Sequence, residues 1–241
     1  MSISQSTYTI AGTEYSYASA YAYFYEIPNG AQNPCERRQL AACDVNLCKL
    51  GTVNTDGGTP ARPHAGPIGI KTSGNTATLQ PKADGTYGAF VSNSAFWRIG
   101  EPLLISAAGK QVPSLNETLK APSIAQVGTP VLPAAGELAV HRNQDLALSW
   151  TGASEGELVV TITQADSTFS TQATCTFSAS AKTGNIPKDV WALMKPGVGY
   201  MGVNTQNSTR QTLSGWQIDF TANSQAVSSS GALYQPRLNL E

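Results

Sequence analysis

The chain has 241 residues, with 15 Lys+Arg against 16 Asp+Glu, and only 13% of its residues are charged. A net charge of −1 leaves no basic field to hold nucleic acid or an anionic membrane. At 41% hydrophobic residues the chain is too apolar to be disordered, no apolar run approaches the roughly 20 residues of a bilayer-spanning helix, and the length predicts one or two domains.

Residues 1–7 are polar and show no basic segment followed by an apolar one, so no signal peptide is read there. The scarcity of charge, the abundance of Ser, Thr and Gly, and four cysteines nevertheless look exported. The expectation is a mature extracellular or outer-surface region behind an added start codon, with Leu240 and Glu241 as a cloning remnant; the alternative is a cytosolic protein with natural termini.

The first element is the most unusual. Tyr15, Tyr17, Tyr21, Tyr23 and Tyr25 fall at odd positions with Ser19 between them, while Ser16, Ala18, Ala20, Ala22 and Phe24 fall at even ones. In a strand, alternate residues share a face. A row of tyrosines on an exposed sheet offers ring area plus hydroxyls to a sugar or a flat protein partner. Packed between sheets, the same rings would be core with hydroxyls on backbone groups. Tyr rather than Phe at five positions argues that one end of each ring meets water. Glu14 and Glu26 flank the row on the opposite strand face and read as ordinary strand-end charges.

Cys35, Cys43 and Cys48 cluster early, and Cys175 stands alone. Four cysteines allow three pairings, and in each of them Cys175 joins the early cluster, so full oxidation ties the two halves of the chain together. The alternative is a buried free thiol on the face that Ala173, Cys175 and Phe177 share. Zinc is disfavoured, because there is no C-x-x-C and no ligand-like spacing of His64 and His141.

Asp56-Gly57-Gly58 and Asp84-Gly85 are turn signals. Alternation in 76–80 and in 87–91 predicts a hairpin across Asp84-Gly85, and 103–107 predicts a strand ended by Gly109. Pro113, Pro122, Pro130 and Pro133 place a domain border near Ala121-Pro122, giving domains 1–121 and 122–241 of sufficient size for separate cores. Beyond it, Leu146, Leu148 and Trp150 share a strand face, as do Leu158, Val160 and Ile162, and then Trp216, Ile218 and Phe220. Only 187–195 has helical spacing, opening at Pro187 and stopping at Pro196-Gly197. Short strands between turns predict an all-β chain of two β-sandwich domains.

Residues 122 to about 223 resemble a fibronectin type III or immunoglobulin-like module. Asp145-Leu146-Ala147-Leu148-Ser149-Trp150-Thr151 is similar to its second strand, and the run from Leu193 through Pro196, Gly197 and Tyr200 to Val203 is similar to its L-x-P-G-x-x-Y-x-x-V corner. That resemblance implies a core Trp150 and a Tyr200 hydroxyl bonded back to the backbone. The helical segment 187–195 departs from the family pattern.

The whole chain also resembles surface or secreted lipoproteins of gliding, predatory Gram-negative bacteria. The resemblance rests on the element from Cys43 to Cys48, Asp84-Gly85-Thr86-Tyr87, Leu132-Pro133-Ala134-Ala135-Gly136, Ser149-Trp150-Thr151-Gly152, the run from Thr174 to Ala179, and Gly215-Trp216. It implies an exported two-domain β-protein with no assigned activity, in contact with the membrane only through an N-terminal lipid anchor whose Cys is absent here.

No H-E-x-x-H helix or phosphate-cradling loop is present. His141 reads as a solvated turn residue, and His64 is the better general-base candidate of the two. Asp44, Asn46, Asp56 and Asp84 read as turn residues without a calcium-loop spacing. No cofactor is expected. The leading expectation is a non-catalytic surface protein for binding, adhesion or scaffolding, with a glycan or protein partner at a cell surface or in matrix, the glycan version using the five tyrosines. The competing expectations are a secreted hydrolase with two carboxylates far apart in sequence and a self-assembling surface protein pairing through edge strands.

Overall fold

The computed structural model describes residues 1–25, 35–49, 62–133 and 137–241. Glu26, the Asp56-Gly57-Gly58 turn and Ala134-Ala135-Gly136 lie outside the described residues. In chain order the first strands are β1 (Ser2–Ile10), β2 (Thr13–Tyr21), β3 (Cys35–Leu40), β4 (Cys43–Lys49), β5 (Ile68–Lys71), β6 (Thr76–Leu79), β7 (Phe90–Ser92), β8 (Pro102–Ala107) and β9 (Leu115–Lys120). There follow β10 (Gln126–Thr129), β11 (Glu137–Val140), β12 (Leu146–Thr151), β13 (Glu157–Ala165), β14 (Phe169–Ser178), β15 (Thr183–Ile186), helix α1 (Lys188–Ala192), β16 (Gly197–Leu213), β17 (Trp216–Gln225), β18 (Val227–Ser228) and β19 (Arg237–Leu240). The chain is therefore all-β, as its period-two patterning predicts, with α1 as the one short α-helix among the described residues.

The strands sort into two compact units, each with its own core. The first comprises Met1–Ala31, Asn54–Ser123 and Gln206–Ser224. One of its sheets has the order β6-β5-β8-β9. Its other strands run β17-β1-β2-β7, with β1 parallel to β17 and antiparallel to β2. Ile68, Ile70, Leu79, Leu103 and Ile105 from the first sheet pack in one core with Ile3, Ala20, Ile218 and Phe220 from the second. Small residues at Ala18, Ala20 and Ala22 leave room for the large side chains opposite, so the two layers interdigitate. Inward-facing Gln5 is buried, and its Oε1 accepts from the Phe96 and Trp97 amides at 2.7 and 3.1 Å while Nε2 donates to the Trp97 carbonyl at 3.2 Å. A polar side chain is tolerated there because each of its hydrogen-bonding ends is matched.

The second unit comprises Gln32–Val53, Ile124–Thr205 and Gln225–Glu241. Its small sheet has the order β15-β12-β10-β18. The facing layer runs β3-β4-β14-β13-β16, with β19 pairing both β16 and β11. Leu148, Trp150 and Ile186 from one layer share a core with Leu158, Val160, Ile162, Met201 and Leu238 from the other. Trp150 is held further by its indole N–H, which donates to the buried Ala179 carbonyl at 2.8 Å. Trp150→Phe removes that bond and orphans the carbonyl, so it should destabilise this unit by about 2 kcal/mol; denaturant unfolding checks this.

The predicted helix forms. Pro187 stands before its first turn, Asp145 Oδ1 accepts from the Lys188 amide at 2.8 Å, and Arg142 Nε donates to the Trp191 carbonyl at 3.3 Å. Those bonds satisfy groups that a helix of this length cannot pair internally.

Several details differ from the sequence expectation. The border near Ala121-Pro122 falls beside the unit border at Ser123/Ile124, but each unit also takes a segment from the other half of the chain. The β3–β4 hairpin belongs with β14 because β4 pairs along it, with Cys43 opposite Cys175. The Asp84-Gly85 turn is present, with Pro81 bridging Tyr87, but β7 pairs with β2 rather than returning along β6. Tyr200 is exposed and not the buried corner residue, whereas Tyr234 is buried with its hydroxyl donating to the Pro130 carbonyl at 2.6 Å. At the C-terminal end Leu240 is buried in the second core, and the Glu241 amide donates to the Val140 carbonyl. Asp44 and Asn46 are strand residues of β4, not turn residues, and Asp44 pairs with Arg37 at 3.0 Å.

Both disulfides join residues directly opposite one another on neighbouring strands. Cys35–Cys48 links β3 to β4, and Cys43–Cys175 links β4 to β14 across 132 residues of chain. No free thiol remains, so Cys175 is not the reduced core residue of the alternative reading. Disulfides of this kind persist in oxidising compartments. Among the described residues, no helix is long and apolar enough to cross a membrane.

Candidate functional site: an exposed tyrosine row

The row starts from the β1–β2 hairpin. Its two-residue turn is Ala11-Gly12, both at positive φ, which matches the right-handed twist of the strands. The turn fixes the register from Ile10↔Thr13 to Ser2↔Tyr21. A one-residue slip would exchange the two faces of β2, and the buried Ala18 and Ala20 lock it against that.

With this register Tyr15, Tyr17 and Tyr21 point outward from β2, and Tyr23 and Tyr25 continue the alternation just beyond its end. All five rings are 40–58% exposed, while Ala18, Ala20, Ala22 and Phe24 on the other face are buried. The alternative in which the rings fill the core is thereby excluded. The planes of Tyr21 and Tyr23 differ by 6° at 6.3 Å between centroids, and those of Tyr23 and Tyr25 by 18° at 5.9 Å. Tyr8 of β1 lies opposite Tyr15 with its ring 5.9 Å away. Ser19 interrupts the row; its hydroxyl meets that of Ser4 at 2.8 Å, and Val91 of β7 lies beside it.

Polar side chains flank the rings. Ser2 and Ser4 of β1 are paired with Thr221 and Asn223 of β17, and Asn223 Nδ2 donates to Ser2 Oγ at 3.2 Å. At one end of the row a groove of about 670 Å³ is lined by Tyr23, Tyr25, Trp216, Gln217 and Asp219 among others. Trp216 is only partly buried, and its ring is set edge-on against Phe24 at 6.3 Å. Asp219 is neutralised by Arg210, whose Nη2 donates to its Oδ2 at 3.2 Å. The Asp219 carboxylate raises the Arg210 pKa by direct hydrogen bonding and by charge. Trp216, Gln217 and Asp219 were not singled out as binding residues by sequence. Alternation alone places Gln217 and Asp219 on the outer face of β17, but not beside Tyr23 and Tyr25.

The remaining candidates do not assemble. His64 Nδ1 accepts from the Gly66 amide at 3.2 Å, and its own amide donates to Gln111 at 3.2 Å, which is a loop-stabilising role. His141 lies 3.4 Å from Glu241, and both side chains are largely exposed. Asp84 holds its turn by accepting from the Thr86 hydroxyl and amide, and these bonds lower its pKa. Among the described residues no cluster of three or more His, Cys, Asp or Glu could hold a metal ion.

No family model matches the chain, and no curated protein matches it. Among solved structures it is similar to one described as "Structural insight into host cell surface retention of a 1.5-MDa bacterial ice-binding adhesin". The match has 9% identity, covers 86% of this chain and 64% of that chain, less than two thirds, and has a TM-score of 0.17. A score that low carries no argument about fold or function.

Proposed function

We propose that this chain is a non-catalytic, exported surface or matrix protein that binds a neutral glycan across the tyrosine row. The observation that carries the reading is the outward face of β2 and the segment just beyond it, where five half-exposed rings stand beside hydroxyl and amide side chains of β1 and β17. A sugar ring has an apolar face and a polar rim, so it is recognised by aromatic area with hydrogen-bonding groups at the side. The lining favours a neutral polymer. Arg210 is matched by Asp219. The two disulfides support export. The fibronectin type III or immunoglobulin-like reading of the second half belongs to the same proposal; buried Trp150 supports it, and exposed Tyr200 does not.

Retention on cellulose, xylan and mannan is the test, with polygalacturonate and heparin as anionic arms. Binding to at least one neutral glycan is expected. Tyr23→Ala with Tyr25→Ala should weaken it about tenfold, since each aromatic contact contributes about 0.5–1.5 kcal/mol. Tyr200→Ala should leave it unchanged. Retention on no neutral glycan, or retention that survives loss of both rings, overturns the reading.

A further inference from the structure

All nine tyrosines of the chain lie in described residues, and they fall into three environments. Tyr87 and Tyr234 are buried, with hydroxyls donating to the carbonyls of Gly66 at 2.8 Å and Pro130 at 2.6 Å. Tyr200 is 59% exposed, more than any ring of the row, and stands apart from other aromatic rings. The other six, Tyr8 and the five of the row, share one sheet face, and two sets of them are held with centroids 5.9–6.3 Å apart in near-parallel planes.

That spacing matters for phenol chemistry. A one-electron oxidant takes one electron from an exposed phenol while the hydroxyl proton goes to water. The unpaired electron spreads to the ring carbons ortho to the oxygen. Two such radicals join by one carbon–carbon bond between ortho carbons, and each of those carbons then releases its hydrogen as the ring regains aromaticity and its oxygen is reprotonated. In total two tyrosines lose two hydrogen atoms, and one hydrogen peroxide accepts them to become two waters. Coupling requires a second ring within reach during the radical's life, and neighbours held on one strand face turn that encounter from a bimolecular into a local event. Exposed side chains there are free to rotate, which the coupling needs, because the ortho carbons must leave the parallel arrangement to meet.

We propose that the tyrosine row is an oxidative cross-linking site, at which a peroxidase-class oxidant using hydrogen peroxide couples neighbouring rings of Tyr8, Tyr15, Tyr17, Tyr21, Tyr23 and Tyr25 into dityrosine. The inference rests on ring exposure and spacing and does not depend on glycan binding. In an exported protein the modification would covalently fix the hairpin to itself or to a second copy, on a face that carries no competing thiol.

The test treats the intact chain with horseradish peroxidase and hydrogen peroxide, follows dityrosine fluorescence, and maps the linked peptides by mass spectrometry. The expected result is linkage among residues of the row, with Tyr200 contributing little despite its greater exposure. Replacing Tyr21, Tyr23 and Tyr25 by Phe keeps the rings and removes the phenols, and should abolish most of the fluorescence. Tyr200→Phe should leave most of it. Because Phe retains the stacking surface, glycan retention by the triple variant separates the two readings. Dityrosine found chiefly at Tyr200, or oxidised tyrosines without coupling, overturns the proposal.

Discussion

Replacing Cys43 and Cys175 together by Ala should destabilise the second unit by about 4–5 kcal/mol, the largest effect expected of any single cross-link in this chain. The bond closes a loop across 132 residues, against 13 for Cys35–Cys48. In the chain-entropy account the penalty removed from the unfolded state grows with the logarithm of loop length, so the short bond should contribute less, about 3 kcal/mol. Position adds to the difference. Cys43 and Cys175 are buried in the core beside Val45, Val160 and Ala173, whereas Cys35 and Cys48 are partly exposed. The double alanine variant therefore also thins a packed core. Amide exchange in β12, β13 and β14 as a function of denaturant reads the local stability. A larger loss from Cys35→Ala with Cys48→Ala would refute this ranking.

Gly85→Ala should cost the first unit about 3 kcal/mol. Gly85 has φ +79°, and a Cβ built there would lie 1.7 Å from the Arg62 carbonyl oxygen and 2.6 Å from its carbon. Neither atom belongs to a side chain that can swing away. The Arg62 amide also donates to the Asp84 carbonyl at 2.8 Å, so relief by moving either segment breaks that bond. A left-handed non-glycine residue costs about 1–2 kcal/mol, and the lost hydrogen bond adds about 1 kcal/mol. Gly12→Ala is the control. Gly12 has φ +81° but nothing within 4 Å of the added carbon, so only the conformational part applies. Gly85→Asn sharpens the distinction, since Asn accepts the left-handed region but carries the same clashing Cβ. Thermal unfolding of the three variants checks the order, and equal losses at Gly12 and Gly85 would show that the close approach to Arg62 does not matter.

The sequence makes some of this plain and leaves the rest silent for identifiable reasons. Asp84-Gly85 reads as a turn, but nothing near it reveals Arg62 pressed against Gly85. Gln5 looks like one more polar residue in a polar opening stretch, yet it is buried and its amide holds the Phe96–Trp97 backbone. The groove beside the row was missed likewise, because Trp216 meets Phe24 only after β17 has paired with β1.

By itself the sequence determined that the chain is built of strands and which side chains share a face. Tyr15, Tyr17, Tyr21, Tyr23 and Tyr25 separate from Ala18, Ala20 and Ala22 by strand geometry alone, because a strand's two faces alternate residue by residue. Only the tertiary structure decided that the tyrosine face meets water, that Cys175 chooses Cys43, that β3 and β4 join the second unit, and that β7 pairs with β2. Those choices are made between segments far apart in the chain, where the balance of buried area, backbone pairing and loop-closure entropy decides, and no local pattern carries that balance.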